Sequence, residues 1–208
     1  MRRLLLPALC VLAACTPEPK AAWKPVEKQL EKKGSSYELK LAHPVIEGAP
    51  DALNKSLAES ALTHLEQVED DPIPFEEYAK NIASESAGQQ WAMESILTIE
   101  RHNPKFLTAF CKTYTNTGAA HPNVFHYYEV YDTATGKRIE AMDLLESGKA
   151  EALRALAKVE PNAYPNEPEI GLYPDHLLYQ PDPDSRMVPS VQIPYSQLKG
   201  ILKPEFFP

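Results

Sequence analysis

Cysteine is scarce: the 208 residues hold three, and Cys10 and Cys15 both fall at the N-terminal end. Cys111 is left alone in the body of the chain, which excludes a disulfide framework. It lies in the strand-like run Phe106-Leu-Thr-Ala-Phe-Cys-Lys-Thr-Tyr114. A small buried apolar residue is the expectation there, and a nucleophile the minor alternative. Paired-cysteine and His-Glu-x-x-His spacings are missing, and His102, His121, His126 and His176 are dispersed. On one strand, His121 and His126 would project from opposite faces. Neither a metal nor any other cofactor is expected. Positive charge is short as well: 21 Lys and Arg face 29 Asp and Glu, a formal −8. Such a surface repels phosphate backbones and anionic headgroups, so nucleic acid is not an expected partner. No apolar run is long enough to span a bilayer, and internal repeats and low-complexity tracts are absent.

What the N-terminus does hold is the pattern of an export signal. Arg2 and Arg3 lead into a short apolar run that stops at Leu12-Ala13-Ala14-Cys15. That is the order of charged region, apolar region and small-residue cleavage site. Leu-Ala-Ala-Cys resembles the lipobox of bacterial lipoproteins, in which the cysteine is acylated and becomes the new N-terminus. Cys15 is therefore the expected lipidation site and residues 1–14 the signal peptide. Its loss removes Arg2 and Arg3, leaving 194 residues at −10. Attachment to a membrane then follows from acyl chains rather than charge. Thr16 stands where inner-membrane retention is associated with aspartate, which favours the outer membrane, facing the periplasm, in a cell with two membranes.

Residues 15–35 carry Pro17, Pro19, Pro25, several lysines and Gly34-Ser35. They read as the lipidated N-terminus and a tether, semi-rigid where proline is dense, with room for a short helix over 26–32. The domain is placed at 36–208, with an N-terminal part at 36–105 and a C-terminal part at 106–208. A strand is expected over 37–43. A helix follows from Asp51 to about 68, because Leu53, Leu57, Ala61 and Leu65 recur at helical spacing. A second helix is expected over 74–83, then strands over 91–100, 106–115 and 124–131. Residues 132–136 read as a hairpin turn, with Gly136 available for positive φ, and 139–141 as its return strand. Asp143 with Glu146 makes a capping box, starting a helix to about 159. Between Pro161 and Pro194 eight prolines enforce loop, with short strands over 171–180 and 188–193. A closing helix is expected over 195–202. Consecutive strands imply antiparallel pairing. The expected class is α+β, a mainly antiparallel sheet packed with three to four helices in a single compact domain.

Four short motifs occur in order: Gly118-Ala-Ala-His-Pro-Asn123, Tyr131-Asp-Thr-Ala-Thr-Gly-Lys137, Asp143-Leu-Leu145 and Ile193-Pro-Tyr-Ser-Gln-Leu198. Together with Pro44-Val-Ile-Glu-Gly48 and Leu53-Asn54, they resemble a domain of unknown function. That domain occurs in the extracellular region of anti-sigma-V factor and beside polysaccharide deacetylases. The likeness spans roughly 36–204, with Ala119 where the family has a second glycine. It implies an envelope module, anchored or secreted, and a lysozyme-binding role of the kind the anti-sigma factor has. Sigma-factor control is not implied, because the transmembrane and cytoplasmic segments are missing.

His121 and Asn123 are the candidate ligand-binding residues, presenting an imidazole and an amide at a loop edge. A purely structural role between two strands is favoured over acid–base chemistry, since no nucleophile or orienting acid is set beside His121. Ser196 and Lys199 match Ser-x-x-Lys, but the Ser-Asp-Asn and Lys-Thr-Gly elements of penicillin-recognising enzymes are missing. Tyr127, Tyr128 and Tyr131 share one strand, and Tyr164, Tyr173 and Tyr179 the proline-rich segment. An exposed tyrosine cluster would suit glycan or protein recognition, whereas alternation would bury one set. The leading expectation is a non-enzymatic, membrane-anchored module for a cationic protein such as lysozyme or for a cell-wall glycan. The alternative is an envelope hydrolase, or deacetylase-associated enzyme, acting on peptidoglycan with His121 as acid–base.

Overall fold

The computed structural model describes residues 23–66, 72–160, 168–182 and 189–208. The described residues begin with β1 (Lys24–Lys33) and β2 (Tyr37–Glu47), then α1 (Asp51–Glu66) and α2 (Phe75–Glu85). Next come β3 (Trp91–His102), β4 (Phe106–Asn116), β5 (Asn123–Asp132) and the two-residue β6 (Arg138–Ile139). After α3 (Ala150–Leu156) lie β7 (Glu169–Leu172), β8 (His176–Gln180) and β9 (Val191–Pro194).

The class is α+β, but the single, mainly antiparallel sheet is corrected on two counts. There are two sheets, one of six strands in the order β1-β2-β3-β4-β5-β6 and one of three, β7-β8-β9. The larger sheet is also mixed, because β2 and β3 pair in parallel from Tyr37↔Trp91 to Ala42↔Ile96. The reason lies in the connection. Parallel neighbours need a crossover, and α1 with α2 supplies it by returning the chain along one sheet face. Among the described residues there are three α-helices, supplemented by short 3-10 turns.

Alternation along the strands decides the two cores. Leu39 and Leu41, Met93 and Leu97, Leu107, Ala109 and Cys111, and Tyr131 share the helix-covered face. Against them pack Leu53, Leu57, Ala61 and Leu65 of α1 and Phe75, Tyr78, Ala79 and Ile82 of α2. Each such large side chain contributes about 1.5–3 kcal/mol on burial. Phe106 and Val130 belong to a second cluster with Ile170, Leu172, Leu177, Tyr179, Ile193 and the C-terminal Leu198, Leu202 and Phe206. A register shift between Ile99 and Arg101 turns Arg101 toward that cluster. Its guanidinium sits 4.8 Å from the Phe106 ring centroid and donates to Tyr195 Oη at 2.6 Å.

Several expected elements differ. Residues 24–33, read as tether, form β1 rather than coil or a short helix: Val26 and Leu30 sit opposite Val45 and Leu41 of β2. Its many lysines suit an exposed edge strand. The helix expected from Asp143 is replaced by a 3-10 turn at Ala141–Leu144, and α3 starts only at Ala150. Gly148 at φ 71° and the Leu145↔Leu202 bridge break the run, and the Glu146 N–H is taken by Ile201 O at 2.8 Å. The strand over 171–180 is divided at Pro174, where the Tyr173 N–H reaches His176 O at 2.9 Å. The closing helix is only a 3-10 turn, Tyr195–Gln197.

Candidate functional site

Helix α1 buries Leu57, Ala61 and Leu65, yet Ser60 and His64, one turn apart, lie on its sheet-facing side. They meet β5, whose alternation puts Tyr127, Glu129 and Tyr131 on the helix-covered face. Glu129 is the centre, with a side chain only 4% exposed. Ser60 donates its hydroxyl hydrogen to Glu129 Oε2, and Tyr131 Oη donates to the same oxygen at 2.6 Å. On the other oxygen, His64 Nε2 stands at 3.2 Å and Arg138 Nη1 at 3.0 Å. The His64 ring stacks on Tyr127 with centroids 3.9 Å apart and planes within 9°.

The electrostatics follow from this wiring. Burial alone would push the Glu129 carboxyl up, but the hydrogen bond and charge of His64, then Arg138 and Ser60, outweigh it and hold it at about 2. Burial and the neighbouring Glu129 charge push the Tyr131 hydroxyl well above its ordinary value, so it stays a donor. The Arg138 guanidinium is opposed by desolvation and raised by Glu129 and Glu169.

Over this cluster lies an open depression of ≈ 510 Å³ between α1 and the β5–β6 hairpin. Ser56, Thr63 and His64 line one wall, and Thr135, Lys137 and Arg138 the other. Gly136 sets the distance between the walls. Its φ is 71°, and a Cβ there would come within 2.6 Å of the backbone of Ala52 and Leu53. Only glycine combines that conformation with so close an approach.

The residues singled out from sequence fall elsewhere. His121 is exposed in the β4–β5 connection and makes no hydrogen bond or ion pair among the described residues. Asn123 opens β5, roughly 20 Å along the strand from Glu129. In that loop Gly118 takes a left-handed φ of 81°, and Ala119 does not need one. Ser196 and Lys199 are exposed around a 3-10 turn rather than one turn apart on an α-helix. Cys111 is buried beside Ser95 Oγ at 3.2 Å, and burial pushes its thiol up to about 12. His102 stacks on Trp23, His126 packs near Phe110 and His176 pairs with Asp175 at 2.6 Å. Among the described residues no three His, Cys, Asp or Glu side chains are grouped to hold a metal. The tyrosines divide as alternation requires: Tyr127 and Tyr131 face the helices, while Tyr128 faces Tyr173 on the opposite side, and Tyr179 is core. Cys15 and Tyr164 lie outside the described residues.

Sequence reasoning missed Ser60, His64, Glu129 and Arg138. A usable signal existed. Glu129 falls between Tyr127 and Tyr131 on an inward-facing register, and Ser60 and His64 interrupt an apolar helix stripe. Both are polar positions where burial demands partners.

No family model matches the chain, and no curated protein does. Among solved structures it is similar to a DUF3298 family protein from Pseudomonas aeruginosa PAO1, with a TM-score of 0.66 and 20% identity. That likeness covers 90% of this chain and 96% of the other. A DUF3298 member from Bacteroides fragilis NCTC 9343 gives a TM-score of 0.59 at 14% identity, over 88% of this chain and 95% of its own. These likenesses show a shared fold with proteins of a family of unknown function.

Proposed function

We propose that the protein is an envelope module, anchored through acylated Cys15, that captures a cell-wall component without transforming it. The observation that carries this reading is the convergence of four donors on one buried carboxylate beneath an open depression. Ser60 Oγ and His64 Nε2 both turn to Glu129 rather than to each other, so the two are not arranged as a serine–histidine pair. The same wiring makes a rigid floor, and a rigid recess lowers the ordering cost of binding. The export pattern ending at Cys15 supports a site outside the cytoplasm, and in a two-membrane cell at the outer membrane, facing the periplasm.

The test uses the isotope-labelled chain with Cys15→Ser, to prevent acylation, titrated with a mixture of soluble muropeptides. Backbone amides of Thr63, Thr135 and Arg138 should shift, and the muropeptides should be recovered unchanged. Hydrolysed or deacetylated products, lost in His121→Ala without unfolding, would establish the enzymatic alternative instead.

A second reading, capture of a cationic protein such as lysozyme, draws on the acidic balance of 29 carboxylates against 21 basic side chains. Charge of that sign steers cationic partners at low ionic strength. The immobilised chain should retain a c-type lysozyme, with retention falling as salt rises. No retention across several lysozymes would remove this version.

A further inference from the structure

The depression is lined by two carboxylates, Glu59 and Glu129, and by two cations, Lys137 and Arg138. The chain stands at −8, yet both carboxylates that line the recess are already engaged. Glu59 pairs with Lys55 at 3.3 Å, and Glu129 with Arg138 at 3.0 Å. The cations are less fully used. Arg138 reaches Glu129 through Nη1, while its side chain remains 43% exposed. Lys137 is exposed, lines the same recess and makes no ion pair among the described residues. A guanidinium carries five N–H donors in one plane. Glu129 takes one of these donors through Nη1, and Arg138 lines this recess on one side and, with Glu140 and Glu169, a neighbouring cleft on the other. Ser56 and Thr63 add hydroxyls on the facing wall.

We propose that this recess receives the carboxylate of a small ligand, held by the outer edge of Arg138 and by Lys137. The inference rests on the capture reading and names the group recognised. A planar, singly charged carboxylate matches a guanidinium fork, with lysine as a mobile point charge. Hydroxyls of Ser56 and Thr63 would then meet polar groups next to the acid. Two sources carry that chemistry, the C-terminus of a short peptide and the acid group of a sugar.

The experiment titrates the Cys15→Ser chain with four probes: acetyl-D-alanyl-D-alanine, its C-terminal amide, N-acetylmuramic acid and N-acetylglucosamine. Affinity is read by calorimetry, and the location by amide shifts. One acid or both should bind at the recess, at least about tenfold more tightly than the neutral counterpart, as loss of a charge-assisted pair requires. Whichever acid wins identifies the source. Lys137→Gln should weaken the acids alone and leave the melting temperature unchanged. Arg138→Lys keeps a cation for Glu129 but loses the fork, and should weaken the acids without affecting the neutral probes. Neutral probes binding as tightly as acids, acids shifting amides elsewhere, or no acid binding at all each overturn the carboxylate proposal. The capture reading falls separately, only if muropeptides shift no recess amide.

Discussion

Replacing Glu129 by Gln tests whether the carboxylate is the keystone between α1 and the sheet. The shape is kept and the charge is removed. Gln offers one carbonyl oxygen where the carboxylate served Ser60, His64, Tyr131 and Arg138, and its amide N–H group would face donors. At least one buried donor is left unsatisfied and one ion pair is lost, which costs about 3–5 kcal/mol where such pairs are buried. The pH dependence supplies an independent magnitude. The carboxyl lies at about 2 in the folded chain against 4.5 when unperturbed, a difference worth about 3 kcal/mol at neutral pH. Because the folded value is the lower one, this stabilisation is complete above 4.5 and is lost as pH falls toward about 2. Urea unfolding of both proteins, followed by fluorescence of Trp23 and Trp91, measures the gap from pH 7 down to 2.5. The gap should be about 3 kcal/mol at neutral pH and should narrow progressively below about 4.5. A gap under about 1 kcal/mol at neutral pH, or one that does not change with acidification, would refute the reasoning.

Gly136→Ala should destabilise by about 2–4 kcal/mol, from the left-handed φ plus the clash with Ala52 and Leu53. Gly148→Ala, at the same φ of 71° but with open space around it, should cost only about 1 kcal/mol in the same urea assay. Cys111, buried and with its thiol raised to about 12, should resist a thiol-specific chromogenic reagent in the native protein and react promptly in denaturant. His121→Ala should change stability by less than about 0.5 kcal/mol, since the side chain is exposed, and should leave binding of any recess ligand unaltered in the amide-shift titration.

Much of the secondary structure was legible. The leucine spacing after Asp51 produced α1, and the alternating runs between turn-formers produced β2 through β5 with ends displaced by only a few residues. The failures share a cause. Asp143 and Glu146 satisfy a local capping pattern, but Glu146 N–H is claimed by Ile201, far along the chain. Residues 24–33 are rich in lysine and glutamate and carry Pro25, and only pairing with β2 makes them a strand. The parallel β2–β3 pairing depends on the path taken by two intervening helices. The candidate site was half legible: Ser60, His64 and Glu129 each break an apolar pattern. Their partners are separated by 69 and 65 residues, and no periodicity measures a contact of that range.

By itself the sequence determined where the chain is helical or extended between β2 and β5, and that Cys111 had no cysteine in the body of the chain to pair with. Those properties depend on neighbours within a few residues. Only the tertiary structure decided that the carboxylate at 129 stays ionised in the interior, that Arg138 pairs with it while remaining partly exposed, and that the polar recess lies beside α1 rather than at His121. Charge survives burial only when several donors converge from different elements, and that convergence exists only once α1, β5 and β6 have packed together.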